Sequence, residues 1–192
     1  MTTFVLATHN AHKVEELRRI LGERLGGHEL VGYDGPEPVE DGDTFEANAL
    51  IKARAAYAHT GLPSIADDSG IAAHALDGAP GIRSARYAGT GDSADNNALL
   101  LKNLEGATDR SADFVCVAAL VDGDTEIVVR GTWPGRVLEQ PSGANGFGYD
   151  PIFQPDGIEV AAAELTPDEK NAISHRARAF GELVAKLREL YG

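Results

Sequence analysis

The apolar run Phe4-Val5-Leu6-Ala7 passes without a spacer into the polar turn Thr8-His9-Asn10-Ala11-His12-Lys13, and a helical pattern begins at once. No other stretch constrains the fold as tightly. A strand that breaks through a short polar turn into a helix aims backbone N–H groups, and the positive end of the helix dipole, at whatever lies beyond the strand end. Val14, Leu17, Ile20 and Leu21 recur at helical spacing and face a core. Thr8 and Asn10 bring hydrogen-bond donors and Lys13 a charge, a set suited to an anion. The turn is not a Walker A loop, because its glycines and its Gly-Lys-Ser/Thr ending are missing. It also reads as a plain helix start with Asn10 as N-cap, and the two readings are compatible.

The second constraining stretch is Ile65-Ala66-Asp67-Asp68-Ser69-Gly70. Two acids that end a short apolar strand, followed by Ser-Gly, predict a strand terminating in a loop that carries chemistry. Successive strand residues point to opposite faces, so Asp67 and Asp68 cannot do the same job. Taken alone, the pair also reads as a solvated turn.

Between these stretches, Glu29 to Val31 predicts a second strand, and the loop Asp34 to Asp43 holds Glu40. A helix is predicted from Thr44 to Thr60, with Asp43 and Glu46 as an Asp variant of the capping box and Lys52 and Arg54 within it. After the Asp pair, Ile71 to Ala75 reads as extended or irregular. The Gly-rich segment Gly78 to Gly91 follows, and loops of that length are usually functional or interfacial. Ala94 to Leu104 predicts a helix capped by Asp92 or Ser93. Phe114 to Val121 and Glu126 to Trp133 predict a hairpin turning at Asp122-Gly123-Asp124. Cys116 inside it reads as a small core residue.

A second Gly-rich loop runs from Pro141 to Asp150. Its aromatics, Phe147 and Tyr149, set among glycines, suit stacking on a planar base better than packing in a core. Thr166-Pro167-Asp168-Glu169 is a strong helix start, and Lys170 in its first turn opposes the helix dipole. The final helix opens at Ser174-His175-Arg176 and carries the apolar stripe Phe180, Leu183, Val184, Leu187 and Tyr191. A lone His-Arg pair at such a position reads as surface.

Composition narrows the partners. A net charge of −13 over 192 residues argues against a nucleic-acid backbone. It leaves room for a small phosphorylated ligand at clustered Lys and Arg or a bridging Mg²⁺. The apolar runs are too short to cross a bilayer, and Met1 to Ala7 lacks the basic leader and apolar length of a signal peptide. With a single Cys, cytoplasmic residence is the expectation.

Six blocks, taken in order, resemble the inosine triphosphate pyrophosphatase family, the Ham1 or RdgB-type enzymes, over nearly the whole chain. They are Leu6-Ala7-Thr8 with Asn10 and Lys13; Thr44-Phe45 with Asn48-Ala49 and Lys52-Ala53; Ile65 to Gly70; Gly78-Ala79-Pro80-Gly81-Ile82 with Ser84-Ala85-Arg86-Tyr87; Gly146 to Phe153; and Ala163-Glu164-Leu165 through Ser174-His175-Arg176. The resemblance implies an α/β fold: a long mixed twisted sheet flanked by helices, a single domain over 1–192 whose two lobes hold the nucleotide cleft between them, and a homodimer with Gly78–Gly91 near its interface. It implies Mg²⁺-dependent hydrolysis of ITP, dITP or XTP between the α- and β-phosphates, giving monophosphate and pyrophosphate.

By matching positions, Thr8, His9, Asn10, Ala11, His12 and Lys13 would hold the phosphates, with Lys52 as a further cation. Glu40 and Asp68 would position Mg²⁺, and Asp68 would also accept the proton of the attacking water. Metal ligation lowers a carboxylate's basicity, so a neighbouring acid or a water-mediated base is the alternative. Ser69 would contact the nucleotide. Phe147, Gly148, Tyr149, Asp150, Lys170, His175 and Arg176 would surround sugar and base. Donors such as Arg176 would meet the acceptor oxygen at C6 of hypoxanthine or xanthine, whereas the amino group of adenine would leave them unpaired, a mismatch worth about 10⁴-fold. His9 and His12 stand where the family often has Gly. Both could add charge in acid, and His12 is expected to face solvent. The alternatives are a Maf-like pyrophosphatase with another base preference, against which the Phe147 loop and Ser174-His175-Arg176 speak, and a nucleotide sensor without catalysis, against which Glu40 and Asp68 speak.

Overall fold

Six strands hydrogen-bond in the order β2-β1-β3-β4-β5-β6 in a computed structural model that describes residues 1–192. They are β1 Thr3–Leu6, β2 Glu29–Gly32, β3 Ser64–Ala73, β4 Ser111–Asp122, β5 Thr125–Val137 and β6 Phe153–Pro155. The sheet is mixed: β1 lies parallel to β2 and β3, and β5 antiparallel to β6. Five helices accompany it, α1 Ala11–Leu21, α2 Phe45–Thr60, α3 Ser93–Asn103, α4 Pro167–Ile173 and α5 His175–Tyr191. No helix is long and apolar enough to cross a membrane. The expected α/β class and mixed, helix-flanked sheet are therefore observed.

The chain forms two compact units. The first comprises Met1–Asp68, Cys116–Gly131 and Arg176–Gly192; the second comprises Ser69–Val115 and Thr132–His175. Strands β3, β4 and β5 each pass from one unit into the other. In the first unit, Phe4, Leu6 and Ile65 of the sheet pack with Leu17, Ile20 and Leu21 of α1 and with Phe180, Leu183, Val184 and Leu187 of α5. The period of the α1 and α5 stripes produced those faces, and removing each such side chain from water contributes about 1.5–3 kcal/mol. Residues Phe114 to Val121 of β4 are all buried, as a strand covered on both faces requires. In the second unit Ile71, Leu100, Phe114, Trp133, Val137, Ile152 and Phe153 form a separate core.

Two local expectations need correction. The Asp pair does not end a strand: β3 continues through Asp67, Asp68, Ser69 and Gly70 to Ala73. The acids sit mid-strand because cations compensate their burial, as described below. The cap of α2 is Thr44, whose hydroxyl accepts the Ala47 N–H, and not Asp43. Elsewhere the caps match: Asn10 accepts the Lys13 N–H, Asp92 caps α3, and Thr166 and Glu169 form a reciprocal box on α4.

Candidate active site

In the first unit, β1 ends at Leu6 and the turn that follows is self-braced. Thr8 Oγ1 accepts the Asn10 N–H at 3.1 Å, and Asn10 Oδ1 accepts the Lys13 N–H at 3.1 Å. Lys13 and Glu16, one turn apart on α1, share a face. Lys13 Nζ lies 3.3 Å from Asp67 Oδ2. Arg176, 1% exposed at the start of α5, reaches the same oxygen through Nε at 3.5 Å and binds Glu16 through Nη1 at 2.7 Å. Cys116 Sγ, 3.7 Å from Asp67, completes the surround. Burial alone would raise the Asp67 carboxyl, but Lys13, Arg176 and Lys52 together outweigh it and hold the group well below the usual carboxylate range. Asp67 is held as an anion that links β3 to α1 and α5 through Oδ2, while its Oδ1, like Oδ2 of Asp68, is buried without a hydrogen-bond partner in the protein.

Asp68 has the opposite character. Lys52 of α2 is its nearest cation, Nζ at 3.9 Å, and Lys52 also pairs with Glu40 at 3.0 Å. Burial pushes the Asp68 carboxyl up to about 6; Lys52 and Lys13 oppose the rise, while Asp67 and Glu40 add to it. Its Oδ2 is buried with no hydrogen-bond partner in the protein. Burial would lower the Lys52 ammonium, but Asp67, Asp68 and Glu40 outweigh that and raise it. Two neighbouring acids with pKa values driven apart are the arrangement that separates a structural charge from a proton acceptor. The two acids of the pair therefore sit in different electrostatic surroundings.

The remaining turn residues differ. His12 is exposed, in keeping with its expected place, and Ala11 opens α1. His9 Nδ1 lies 3.2 Å from Glu37 and its ring stacks on Tyr33.

In the second unit the loop Pro141 to Asp150 is fixed around one carboxylate. Asp150 Oδ2 accepts the Phe147 N–H at 3.0 Å and pairs with Lys170 Nζ at 2.8 Å, both side chains being buried. Lys170 Nζ stands 4.7 Å from the centre of the Phe147 ring. That pairing explains a lysine in the first turn of α4: the Asp150 charge, not the helix dipole, sets its local field. Gly146, at φ +71°, lies so close to the Asp150 carboxylate that a Cβ there would collide with it. Asn97 of α3 donates to the Gly148 carbonyl at 3.1 Å.

Tyr149 corrects the expectation that both loop aromatics avoid the core. It is 6% exposed, belongs to the apolar cluster, and donates its hydroxyl to the Ser84 carbonyl at 2.6 Å. Only Phe147 keeps a half-exposed ring. His175 and Arg176 likewise correct the surface reading. His175 is 3% exposed and stacks on Phe114 with ring centres 4.6 Å apart. Ser69 is half-buried on β3. The segment Gly78–Gly91 is ordered by Ser84, which accepts the Ile71 N–H, and by Asn96, which binds Ala85 and Ala88.

Glu16 and Asn97 escaped the sequence reading. A signal for Glu16 existed: it shares the helix face of Leu17 and Ile20, where an acid needs a buried cation. Asn97 had none.

No set of three His, Cys, Asp or Glu side chains converges as a complete metal cage. Glu40 and Asp68, joined through Lys52, supply hard oxygen donors, and the buried Asp68 Oδ2 without a protein partner suits a cation that takes most of its shell from water and phosphate.

Residues 4–186 match the profile of the Ham1 family. A protein of Leifsonia xyli named dITP/XTP pyrophosphatase is 56% identical over 99% of this chain and 98% of its own length. A HAM1 protein from Coxiella burnetii, whose structure is solved, superposes with a TM-score of 0.90 at 42% identity, covering 98% of this chain and all of that one. A nucleoside-triphosphatase / dITP/XTP pyrophosphatase from Mycobacterium abscessus gives 0.77 at 49% identity, over 94% of this chain and 98% of that one.

Proposed function

The chain belongs to the Ham1 family, and on that premise we propose that it hydrolyses ITP, dITP and XTP between the α- and β-phosphates to monophosphate and pyrophosphate. The observation that carries the reading is the split of the acid pair: Asp67 locked as an anion by Lys13 and Arg176, Asp68 raised to about 6 beside the Lys52–Glu40 pair. The names of the relatives in Leifsonia and Mycobacterium support the substrate class.

Thr8, Asn10, Ala11 and Lys13, at the N-terminus of α1, bind the triphosphate through backbone N–H groups and one ammonium; His9 and His12 flank them. Lys52 adds a second cation. Glu40 and Asp68 would hold Mg²⁺, which when bound would screen the phosphate charge and polarise the phosphoryl oxygens. Asp68, ionised near neutral pH, accepts the proton of the attacking water. The donor–acceptor set for the nucleoside comes from Ser69, Phe147, Gly148, Tyr149, Asp150, Lys170, His175 and Arg176. Phe147 supplies a stacking ring, and the buried Tyr149 contributes through its backbone and the loop shape it fixes. Base choice rests on donors meeting the C6 oxygen, with Arg176 among them; refusal of the guanine 2-amino group falls to the Phe147–Asp150 loop.

The 192 residues act as one cytoplasmic domain and pair as homodimers, with no nucleic-acid or membrane partner. Incubation with Mg²⁺ and ITP, XTP, ATP, GTP or dTTP in turn, followed by product identification, tests the reading. Monophosphate plus pyrophosphate from ITP and XTP alone is the expected result. Hydrolysis of GTP as fast as ITP overturns the base-selection argument, and binding without turnover overturns the catalytic one.

A further inference from the structure

His9 sits in the turn that leads into α1, yet its side chain is committed elsewhere. Its ring stacks on Tyr33, with centres 5.5 Å apart and planes 26° from parallel, and its Nδ1 lies 3.2 Å from Glu37 Oε1. Tyr33 in turn organises the segment it opens. Its hydroxyl donates to the Pro36 carbonyl at 2.8 Å, and its ring lies so close over Gly35 that a Cβ at that position would collide with it. His59, from the last turn of α2, meets the other part of the Tyr33 ring edge-on at 5.8 Å. The chain therefore bends at Gly35 against the Tyr33 ring, and four residues after Pro36 comes Glu40, paired to Lys52.

We propose that His9 and Tyr33 form a brace that registers the phosphate-binding turn against the segment carrying Glu40, so that the anion-binding helix end and the metal-binding carboxylate are presented as one preformed unit. The inference rests on the functional reading above. Neither ring needs to touch substrate, so both are positioning residues in this role. Glu37, which lies against His9 Nδ1, is exposed, so the ring stack carries more of the brace than this polar contact. Without it, both segments must be ordered when ligand arrives, and that cost is taken from affinity.

The experiment uses the full chain and measures calorimetric binding of inorganic tripolyphosphate in the presence of Mg²⁺, a probe with no base. Melting temperature and ITP turnover are measured alongside. Tyr33→Leu is expected to weaken tripolyphosphate binding about three- to tenfold, the range of one lost aromatic pair, with the melting temperature unchanged. His9→Gly weakens it similarly, and the double variant is no worse than the singles, as two halves of one contact require. Tyr33→Phe keeps the ring and retains most of the affinity. For ITP the loss falls on KM rather than kcat. Tripolyphosphate affinity within twofold of the parent in both single variants overturns the brace, as do losses that simply add, or losses that track a falling melting temperature. Failure of the parent protein itself to bind Mg²⁺-tripolyphosphate overturns the phosphate-site reading and the brace with it. Failure to hydrolyse ITP, with tripolyphosphate bound and the variants impaired, removes the base assignment and leaves the brace standing.

Discussion

Each unit buries a carboxylate against cations, but the partners come from different distances along the chain. In the first unit Asp67 is held by Arg176, 109 residues away, and by Lys13 of another helix. In the second, Asp150 is held by Lys170, 20 residues away, and by the N–H of Phe147 three residues before it. The local pair shapes a loop; the distant one ties a strand to two helices. One buried anion therefore secures the architecture and the other secures a single loop, although the chemistry of the contacts is nearly the same.

Asp68→Asn sets the scale for what lies beside the architectural anion. It removes the proposed proton acceptor and is expected to cut turnover by about 10³-fold or more while the melting temperature at pH 8 is not lowered. Near-normal activity would take Asp68 out of the mechanism. Asp67→Asn does the reverse through stability: Lys13 and Arg176 lose their shared anion, and about 3–5 kcal/mol is lost in urea unfolding. A loss no larger than that of an ordinary surface substitution would remove the contrast with Asp68.

Lys170→Met takes the buried cation from Asp150, which keeps the Phe147 N–H, and costs stability on a comparable scale, but Lys170→Met with Asp150→Asn recovers a large part of it, because both charges of the pair go together. The double variant is expected to keep ITP turnover with a KM raised about tenfold as the Phe147 turn loosens. An unaltered KM would mean the pair is only structural.

The pH dependence separates the neighbours further. Asp68, raised in the folded state, contributes stability while protonated and loses it as pH rises through about 6. Asp67, held low, contributes stability above about pH 4 and loses it only as pH falls further toward its folded value. Melting curves should therefore show Asp68→Asn gaining on the parent as pH rises from about 4 to just above 6, by about 1–3 kcal/mol in all. The acidic limb of kcat/KM should sit near pH 6 and move down as Mg²⁺ is raised. A parallel pH profile for parent and variant would contradict the assignment. The smallest effect belongs to Cys116→Ala, about 1 kcal/mol from a lost methylene-sized contact and a weak S–H bond, with turnover unchanged.

Much of this was legible before any coordinates. The α1 and α5 stripes, the caps at Asn10 and Thr166, and the β4–β5 hairpin follow from periodicity and capping chemistry, which act over a few residues. The resemblance brought together Lys13, Lys52, Glu40 and Asp68. What stayed hidden depended on partners distant in the chain. Asp67 looked like half of a turn because nothing within ten residues neutralises it. Tyr149 looked like a stacking ring because the Ser84 carbonyl that takes its hydroxyl lies 65 residues before it. Arg176 looked like surface because its acids, Glu16 and Asp67, belong to α1 and β3.

The passage of β3, β4 and β5 through both units has a consequence for biosynthesis. The first unit is assembled from three separate chain segments, so it cannot finish as the nascent chain emerges. Asp67 is synthesised 109 residues before its guanidinium partner, and the α1 face carrying Glu16 waits longer still, 160 residues. A product arrested before α5 would keep Lys13 beside Asp67 but lack the guanidinium that Asp67 shares with Glu16. The last helix therefore supplies, late in synthesis, the cation that joins the acids of α1 and β3.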